Sequence, residues 1–371
     1  MASMAQKDRG GSWTCGQAAR CLAPVPGGED STHHRFVVGT CTLQQRNEIH
    51  VLEFAEDTAD VVCRRTLPHE DEIWLLSVSP TDATQVATYS SGKAGNPALR
   101  LWNTGNLDDP HAAMEEVCIL EDEETPLTSV KSVLWDPHNK GNMVVADTEA
   151  LRVFQGGSGA GSKHSRQLTL HVGQRCSGAC IDPHHSHQVS TVDDTHLKMW
   201  DLRSSRLASK KDNAHLFGAR DVDYNPNVPY QVLTTGQDAV IRFWDLRQLG
   251  KCMRALSGGH HHWITRARFN SHHDQLVLSC GTDSAVCLWR AGSVASAPLG
   301  GSGAGGVEDG LGSASESRAP DGLIRRYEEH EDSCYSCCWS VADAWIFASV
   351  SYDGKVVINR VPHEEKYRIL L

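Results

Sequence analysis

Two groups of residues in this sequence could do chemistry: a cysteine cluster, and a set of histidines, aspartates and tryptophans that recurs along the chain. Cys334, Cys337 and Cys338 follow His330 in a CxxCC pattern, which is compatible with zinc binding or thiol redox chemistry. A zinc site would also need a fourth ligand held at tetrahedral distance. In phase with the repeats described below, the cluster instead falls on an innermost strand, where small side chains pack. We therefore expect packed thiols there, with neither a metal nor a cofactor.

Patterns that mark an enzyme active site are absent from the sequence. It contains no nucleophile elbow, phosphate-binding loop, dinucleotide fingerprint or zinc-protease helix motif. The tripeptide Ser91-Gly92-Lys93 lacks the upstream glycine of a phosphate-binding loop. Function has to be argued from a site and not from a fold, and the titratable residues of the repeats already have a structural role. We therefore expect a protein that is not an enzyme.

One spacing relates the tryptophans to the aspartates. Trp200 and Trp244 are 44 residues apart, and Trp244 and Trp289 are 45 residues apart. Each ends a short run of β-forming residues, and this period is typical of a four-stranded β-propeller blade. An aspartate lies six residues before each tryptophan, and another before Asn359, which replaces the aromatic residue in the last unit: Asp194, Asp238, Asp283 and Asp353.

In WD-repeat proteins, such a tryptophan joins a histidine, an aspartate and a hydroxyl side chain in a hydrogen-bonded chain that staples each blade. The turn aspartate accepts a hydrogen bond from the histidine, and the tryptophan ring supplies apolar area and one N–H group. Cys280 takes the hydroxyl position in one unit, so we expect a weaker staple there. The predicted staple residues are His215, Thr235, Asp238 and Trp244; Thr191, Asp194 and Trp200; His260, Asp283 and Trp289; and His330 and Asp353.

Counting these units and their degenerate relatives gives seven. This predicts an all-β fold, a seven-bladed WD-repeat β-propeller closed by an N-terminal strand that pairs with the last blade, because closure leaves only short, protected sheet edges. The segment from Gln17 to Leu22 is the candidate closing strand. The predicted boundaries are a flexible N-terminus at residues 1–16, a single propeller at 17–365 with a flexible Gly/Ser-rich loop at 291–322, and a C-terminal tail at 366–371.

The composition excludes several classes of protein. The 371 residues include 35 Lys and Arg against 46 Asp and Glu, a formal net charge of −11 that disfavours nucleic acid as a partner. No apolar run approaches the roughly 20 residues of a membrane-spanning helix, so we expect no direct membrane insertion. The first 20 residues lack an apolar stretch of signal-peptide length. We therefore interpret the chain as cytoplasmic and its 13 cysteines as mostly reduced.

Two neighbouring units end in the same pattern, Trp-Asp-Leu-Arg, with Arg203 and Arg247 at its last position. Many propellers that act as substrate receptors of a cullin-RING ubiquitin ligase carry such a WDxR box, in which the arginine pairs with the ligase adaptor. The alternative is a surface ion pair at the end of a strand, worth about 0–1 kcal/mol. The pattern leaves a cullin-RING ligase adaptor open as a partner.

Several segments give the chain a resemblance that is more specific than the fold. They are Glu72-Ile73-Trp74, Arg220-Asp221-Val222-Asp223-Tyr224-Asn225-Pro226, His272-His273-Asp274-Gln275-Leu276, Asn359-Arg360-Val361-Pro362 and Ile369-Leu370-Leu371. With these motifs the chain resembles the family of EARP- and GARP-complex-interacting WD-repeat proteins, from about Phe36 to Leu371. The Gly/Ser-rich insertions and the first residues depart from the family pattern.

The resemblance implies a non-enzymatic adaptor that binds two vesicle-tethering complexes, EARP and GARP. Such an adaptor supports the recruitment of these complexes to membranes in endosomal recycling and in endosome-to-Golgi retrograde traffic. It would be cytoplasmic and associated peripherally with the trans-Golgi network and endosomes through its partners. The family supplies no catalytic residues to carry over to this chain.

The last residues of the sequence are candidate partner contacts. Tyr367, Ile369, Leu370 and Leu371 make this tail apolar, and exposed apolar patches often mark interaction sites. The tail either packs on the last blade or engages a partner, and the sequence leaves both possibilities open.

Overall fold

Short runs of β-forming residues, separated by turns, build seven four-stranded antiparallel sheets in the computed structural model. The structure describes residues 9–27, 33–43, 45–92, 96–109, 111–122, 126–127, 129–156, 164–173, 175–297 and 320–371. The sheets are the blades of a propeller, which confirms the predicted fold class.

The strands follow the chain from blade to blade, except that β1 (Gly11–Thr14) belongs to blade 7. Blade 1 contains β2 (Ala19–Pro24), β3 (His33–Thr40), β4 (Asn47–Ala55) and β5 (Asp60–His69). Blade 2 contains β6 (Ile73–Val78), β7 (Gln85–Ser90), β8 (Ala98–Asn103) and β9 (Glu115–Leu120). Blade 3 contains β10 (Val130–Trp135), β11 (Met143–Asp147), β12 (Ala150–Gln155) and β13 (Ser165–His171).

The second half of the ring repeats this arrangement. Blade 4 contains β14 (Cys176–Ile181), β15 (Gln188–Asp193), β16 (His196–Asp201) and β17 (Arg206–Lys211). Blade 5 contains β18 (Ala219–Tyr224), β19 (Gln231–Gly236), β20 (Ile241–Asp245) and β21 (Arg254–Leu256). Blade 6 contains β22 (Ile264–Phe269), β23 (Leu276–Gly281), β24 (Val286–Arg290) and β25 (Gly322–Tyr327). Blade 7 contains β26 (Cys334–Trp339), β27 (Ile346–Ser351), β28 (Lys355–Arg360) and β1.

The first strands of neighbouring blades contact one another around the whole ring, and β26 contacts β2 to complete it. Apolar residues on each sheet pack against the next blade, so the core lies between blades. Between blades 5 and 6, for example, Phe243 and Trp289 are fully buried in one cluster. Burial of a side chain of this size contributes about 1.5–3 kcal/mol.

The strand directions give the ring two faces. We call the face that carries the loops between blades, and the turns between second and third strands, the upper face. The opposite face carries the turns between first and second strands and between third and fourth strands, and we call it the lower face. Each first strand therefore begins at the upper face and ends at the lower face.

An N-terminal strand closes the ring, as the sequence predicts, but the residues differ from those expected. Strand β1 pairs with β28, with Gly11 opposite Ile358 and Trp13 opposite Val356. The expected segment, residues 17–22, instead falls largely in β2, the first strand of blade 1. Four of the six residues of β2 are buried, as on an inner strand. In β1, half-buried and exposed positions alternate, as on an outer strand.

The propeller therefore begins before residue 17, because residues 11–14 form part of blade 7. Residues 1–8 of the predicted flexible N-terminus lie outside the described residues. The predicted loop at 291–322 contains a short 3-10 helix, Gly292–Val294, and its last residue begins β25. Residues 298–319 of that loop also lie outside the described residues.

The predicted tail belongs to a helix, α1 (His363–Leu370), which follows β28 at the lower face. Among the residues that the structure describes, no helix combines the length and the apolar character that crossing a membrane requires.

Candidate functional site

The staple of blade 5 is a hydrogen-bonded chain of four side chains. His215 Nδ1 lies 2.9 Å from Asp238 Oδ1, and His215 Nε2 lies 2.8 Å from Thr234 Oγ1. Trp244 Nε1 donates to the same Thr234 oxygen at 2.9 Å. Burial opposes ionisation of Asp238, but hydrogen bonds from His215 and Arg242 outweigh it and hold the pKa of this carboxyl well below its usual range.

The hydroxyl of this staple comes from Thr234 and not from Thr235, which the sequence analysis assigned. The Oγ1 atom of Thr235 is buried and has no hydrogen-bond partner among the described residues. The register explains the difference. Val232 lies opposite Trp244, and Thr234, two residues further on, shares its side of the strand.

Blade 6 has an equally complete staple, contrary to the expectation that Cys280 weakens it. Ser279 Oγ lies 2.8 Å from His260 Nε2 and accepts from Trp289 Nε1 at 2.8 Å. His260 Nδ1 lies 3.0 Å from Asp283 Oδ1. Burial of Asp283 raises its pKa, but the hydrogen bond from His260 outweighs this and lowers the pKa to about 2.

In blade 4 the tryptophan and the hydroxyl meet, but the expected aspartate does not join them. Trp200 Nε1 donates to Thr191 Oγ1 at 2.9 Å. Asp194 is exposed in a two-residue turn with a φ of 49°, because Asp193 already pairs with His196 across the hairpin. The neighbouring Asp193 is buried and accepts from Lys198 Nζ at 2.5 Å.

In blade 7 the predicted histidine and aspartate do not contact each other directly, because Ser351 lies between them and hydrogen-bonds to both. His330 lies 2.8 Å from Ser349 Oγ through Nε2 and 2.8 Å from Ser351 Oγ through Nδ1. Ser351 in turn donates to Asp353. Burial lowers the pKa of His330 to about 4. Asn359, in place of a tryptophan, donates to Glu329 at 2.8 Å.

Blade 2 contains a staple that the sequence analysis did not assign. Thr88 Oγ1 lies 3.2 Å from His69 Nε2 and accepts from Trp102 Nε1 at 2.8 Å. His69 Nδ1 lies 2.8 Å from the backbone oxygen of Asp71. The hairpin between β7 and β8 is longer than in the other blades and separates Thr88 from Trp102 by 14 residues, which hides the set from a fixed-spacing search.

The cysteine cluster lies on β26, the innermost strand of blade 7, where its three thiols are buried. Burial raises the pKa of Cys338 to about 12 and the pKa of Cys337 well above its usual value. Within the described residues, the group that brings three candidate metal-binding side chains together is His34, Glu56 and Asp343, which contains none of these cysteines.

The two WDxR arginines lie at the lower face, in turns after the third strands of blades 4 and 5. Asp201 Oδ1 accepts from the backbone N–H of Arg203 at 2.9 Å, and the Arg203 side chain is exposed and lines a groove of about 470 Å³. Arg247 Nη2 contacts Asp245 Oδ2 at 2.8 Å, and its guanidinium lies 5.2 Å from the centre of the Tyr230 ring. Arg247 is 62% exposed, so solvent screens the pair and it adds little to stability.

Helix α1 is anchored to the ring on one side. Glu365 is only 2% exposed, and its Oε1 accepts from Arg290 Nε at 2.7 Å. Lys366 Nζ lies 5.1 Å from the centre of the Trp345 ring. Ile369, one helical turn after Glu365, packs against the apolar cluster between blades 6 and 7.

The other side of α1 presents an apolar stripe to solvent. Tyr367, Leu370 and Leu371 are 50%, 55% and 101% exposed. They occupy positions i, i+3 and i+4, the spacing that places side chains on one side of a helix. Of the four predicted contact residues in the tail, Ile369 therefore faces the ring, and Tyr367, Leu370 and Leu371 are exposed.

A second surface, which the sequence analysis missed, surrounds the upper mouth of the central channel. The register of every first strand shifts after its first residue. The residues at the shifts line one cavity of about 430 Å³: Arg20, Trp74, Lys131, Ser177, Arg220, Thr265 and Tyr335. The residue type at this position changes from blade to blade, so the sequence repeat does not single out these seven residues as one surface.

The chain is similar to a known protein family and to several named proteins. The profile of the family described as "EIPR1 beta-propeller" matches residues 11–289, and the profile of the WD domain, G-beta repeat, matches residues 322–358. "EARP and GARP complex-interacting protein 1" of Homo sapiens is 35% identical, and that of Macaca fascicularis is 33% identical. "EARP-interacting protein homolog" of Gekko japonicus is 34% identical. Each alignment covers 95% of this chain and 96% of the relative.

Proposed function

Because this chain belongs to the EIPR1 β-propeller family, we propose that it is a non-enzymatic scaffold that binds the EARP and GARP complexes. The observation that carries the proposal is the alignment of 95% of the chain with relatives named for these interactions. A closed ring loses little conformational entropy when a preformed surface binds a partner, which suits a scaffold.

The exposed stripe of α1 is our candidate for the surface that contacts a tethering complex. Tyr367, Leu370 and Leu371 leave apolar area in solvent on a helix whose other side is held by Glu365 and Ile369. A rigid helix that displays an apolar stripe fits a groove or a second helix in a partner. We place the tether contact at this lower-face helix.

In the cell, this binding would support the recruitment of both tethering complexes to membranes, in endosomal recycling and in endosome-to-Golgi retrograde traffic. The scaffold would act in the cytoplasm and would reach endosomes and the trans-Golgi network through its partners. Affinity purification of the tagged full chain, followed by mass spectrometry, should recover subunits of both complexes. Recovery of neither complex would refute the scaffold role.

Substitution of the stripe tests the contact surface. The variant Tyr367→Ser/Leu370→Ser should recover at least about tenfold less tether with an unchanged unfolding midpoint, because apolar contacts are lost only in the complex. Val62→Ser/Leu207→Ser is a matched control, since it removes exposed apolar side chains from outer strands elsewhere. A fall in stability in place of recovery would assign the stripe to packing.

A ligase-receptor role is the second candidate, favoured by the position of Arg203 and Arg247 in exposed turns of adjacent blades on one face. Arg203→Ala/Arg247→Ala should abolish co-purification of a cullin-RING adaptor and leave tether recovery unchanged if the boxes are used. Loss of tether recovery alone would instead place these arginines in the scaffold surface.

A further inference from the structure

The upper mouth of the channel concentrates positive charge in an acidic protein. Arg20, Lys131 and Arg220 come from blades 1, 3 and 5 and line the same cavity, although the chain as a whole carries a net charge of −11. Burial lowers the pKa of Lys131, and the charges of Arg20 and Arg220 lower it further. The three cations therefore repel one another.

No carboxylate neutralises these cations among the residues that the structure describes. The guanidinium of Arg20 lies 5.1 Å from the centre of the Tyr335 ring. The guanidinium of Arg220 lies 4.7 Å from the centre of the Trp263 ring. With the Gln237 amide turned so that its oxygen faces Arg220, the guanidinium donates to that oxygen at 2.7 Å. Both contacts position a cation without cancelling its charge.

The acidic group that lines the cavity, Asp221, already has hydrogen-bond partners. Its Oδ2 atom accepts from Arg268 Nη1 at 2.5 Å and from the backbone N–H of Ala267 at 3.1 Å. A further cation, Arg266, lines the cavity and donates to Ser336 Oγ at 2.8 Å. The mouth therefore has an excess of positive charge that an external anion would relieve.

The surroundings of the mouth favour a polypeptide over a small free anion. Trp74 and Tyr335 form aromatic parts of its wall, and Trp263 is partly exposed beside them. Leu216 and Phe217 are exposed in an upper-face loop between blades 4 and 5. A free anion would use the cations alone, whereas a chain segment could also cover these apolar side chains.

We propose that the upper mouth is a docking site for an acidic segment of a partner protein. A carboxylate side chain enters among Arg20, Lys131 and Arg220, and flanking apolar residues contact Trp263 and the rim of the mouth. The inference rests on the proposed scaffold role, since a partner protein supplies the segment. It concerns the upper face and is separate from the α1 contact at the lower face.

The test measures binding of fluorescein-labelled Glu-Glu-Leu-Glu-Glu-Phe to the purified full chain by fluorescence polarisation. The Glu peptide should bind at least about tenfold more tightly than its Gln counterpart, and more weakly as salt rises, because charge complementarity drives the contact. Arg20→Gln/Lys131→Gln/Arg220→Gln should weaken binding at least about tenfold. Lys140→Gln/Arg206→Gln/Lys251→Gln removes the same charge from exposed positions and should bind like the parent chain.

Several results would overturn the proposal. One is equal binding of the Glu and Gln peptides, and another is an equal loss of binding in the two triple variants. A third is that the chain binds inositol hexakisphosphate but does not bind the Glu peptide. The single variant Lys131→Gln, in which one half-exposed side chain changes, replaces the triple variant if the latter fails to fold. Because peptide binding uses the isolated chain, its failure is distinct from failure of the parent chain to recover tethers from cells.

Discussion

The hydroxyl group of Thr234 satisfies two buried ring nitrogens at once, those of His215 and Trp244. Thr234→Val preserves the shape of the side chain but leaves both nitrogens without this partner, which costs about 1–3 kcal/mol. We expect a loss of that size in the free energy of unfolding, measured by urea denaturation.

The neighbouring Thr235 supplies the matched control. Its buried hydroxyl has no partner among the described residues, so Thr235→Val should be neutral or slightly stabilising. Equal effects of the two substitutions would contradict the assignment of the staple to Thr234.

Burial of His330 makes the stability of the protein depend on pH. Its pKa of about 4 in the folded state lies below the ordinary value of about 6.5, so the unfolded chain binds a proton first as the pH falls. The stability contributed by neutral His330 is complete above about pH 6.5 and is lost between pH 6.5 and pH 4, by up to about 1.4 kcal/mol per pH unit.

The variant His330→Gln should flatten this dependence relative to the parent chain, although it is less stable at neutral pH because Ser349 and Ser351 lose their ring partner. Urea denaturation at pH 7.5, 6.5, 5.5 and 4.5 measures the slope. The exposed His261→Gln variant should keep the parent slope. An unchanged slope in His330→Gln would show that His330 is not the buried neutral group.

At the scale of secondary-structure elements, closure of the ring depends on β1 fitting between β28 and blade 1. A Cβ atom at Gly11 would lie 2.6 Å from the backbone oxygen of Ala59 and 2.7 Å from Cγ2 of Val61. Gly11→Val should therefore displace the closing strand, cost about 1–3 kcal/mol and lower the unfolding midpoint by several degrees.

Ser12→Val provides the comparison on the same strand. Ser12 is exposed and pairs with Val357, so a β-branched residue fits there and suits the strand. Differential scanning fluorimetry of the two variants compares their midpoints. A midpoint in Gly11→Val equal to that of the parent chain would show that closure tolerates a side chain at this position.

The lengths of the hairpins explain which staple aspartates could be predicted from the sequence. The fixed distance between aspartate and tryptophan identifies Asp238 and Asp283, because the hairpins of blades 5 and 6 have the same length. It misplaces Asp194, since the paired residues Val189 and Trp200 of blade 4 are 11 residues apart, whereas Val232 and Trp244 of blade 5 are 12 apart. The shorter hairpin leaves the Asp194 side chain exposed. Spacing encodes the period of a blade, but the hairpin length decides which side chain faces inward.

For a related reason, the sequence does not predict which residues line the upper mouth. Its seven residues share a structural position, the bulge of each first strand, but they share no chemical type. Arg20 and Lys131 are separated by more than 100 residues and line one cavity because the first strands of the blades surround the channel. Their common environment is a property of the assembled ring.

At the scale of the whole molecule, the two candidate surfaces lie on opposite faces of one rigid body. First strands such as β10 and β18 contain six residues, which at about 3.3 Å per residue separates the faces by about 20 Å. Substitutions more than about 7–10 Å apart that share no partner side chain have effects that usually add. The two faces should therefore contribute independently to the binding of a tethering complex.

A double-mutant cycle measures this independence. With the parent chain as the reference, Tyr367→Ser/Leu370→Ser changes the lower face, Arg20→Gln/Lys131→Gln/Arg220→Gln changes the upper face, and a fourth chain carries both sets. In surface plasmon resonance with a purified tethering complex, the change in binding free energy of the combined variant should equal the sum of the separate changes within about 0.5 kcal/mol. A coupling above about 1 kcal/mol would contradict the independence of the two faces, because it would show that a change at one face alters binding at the other.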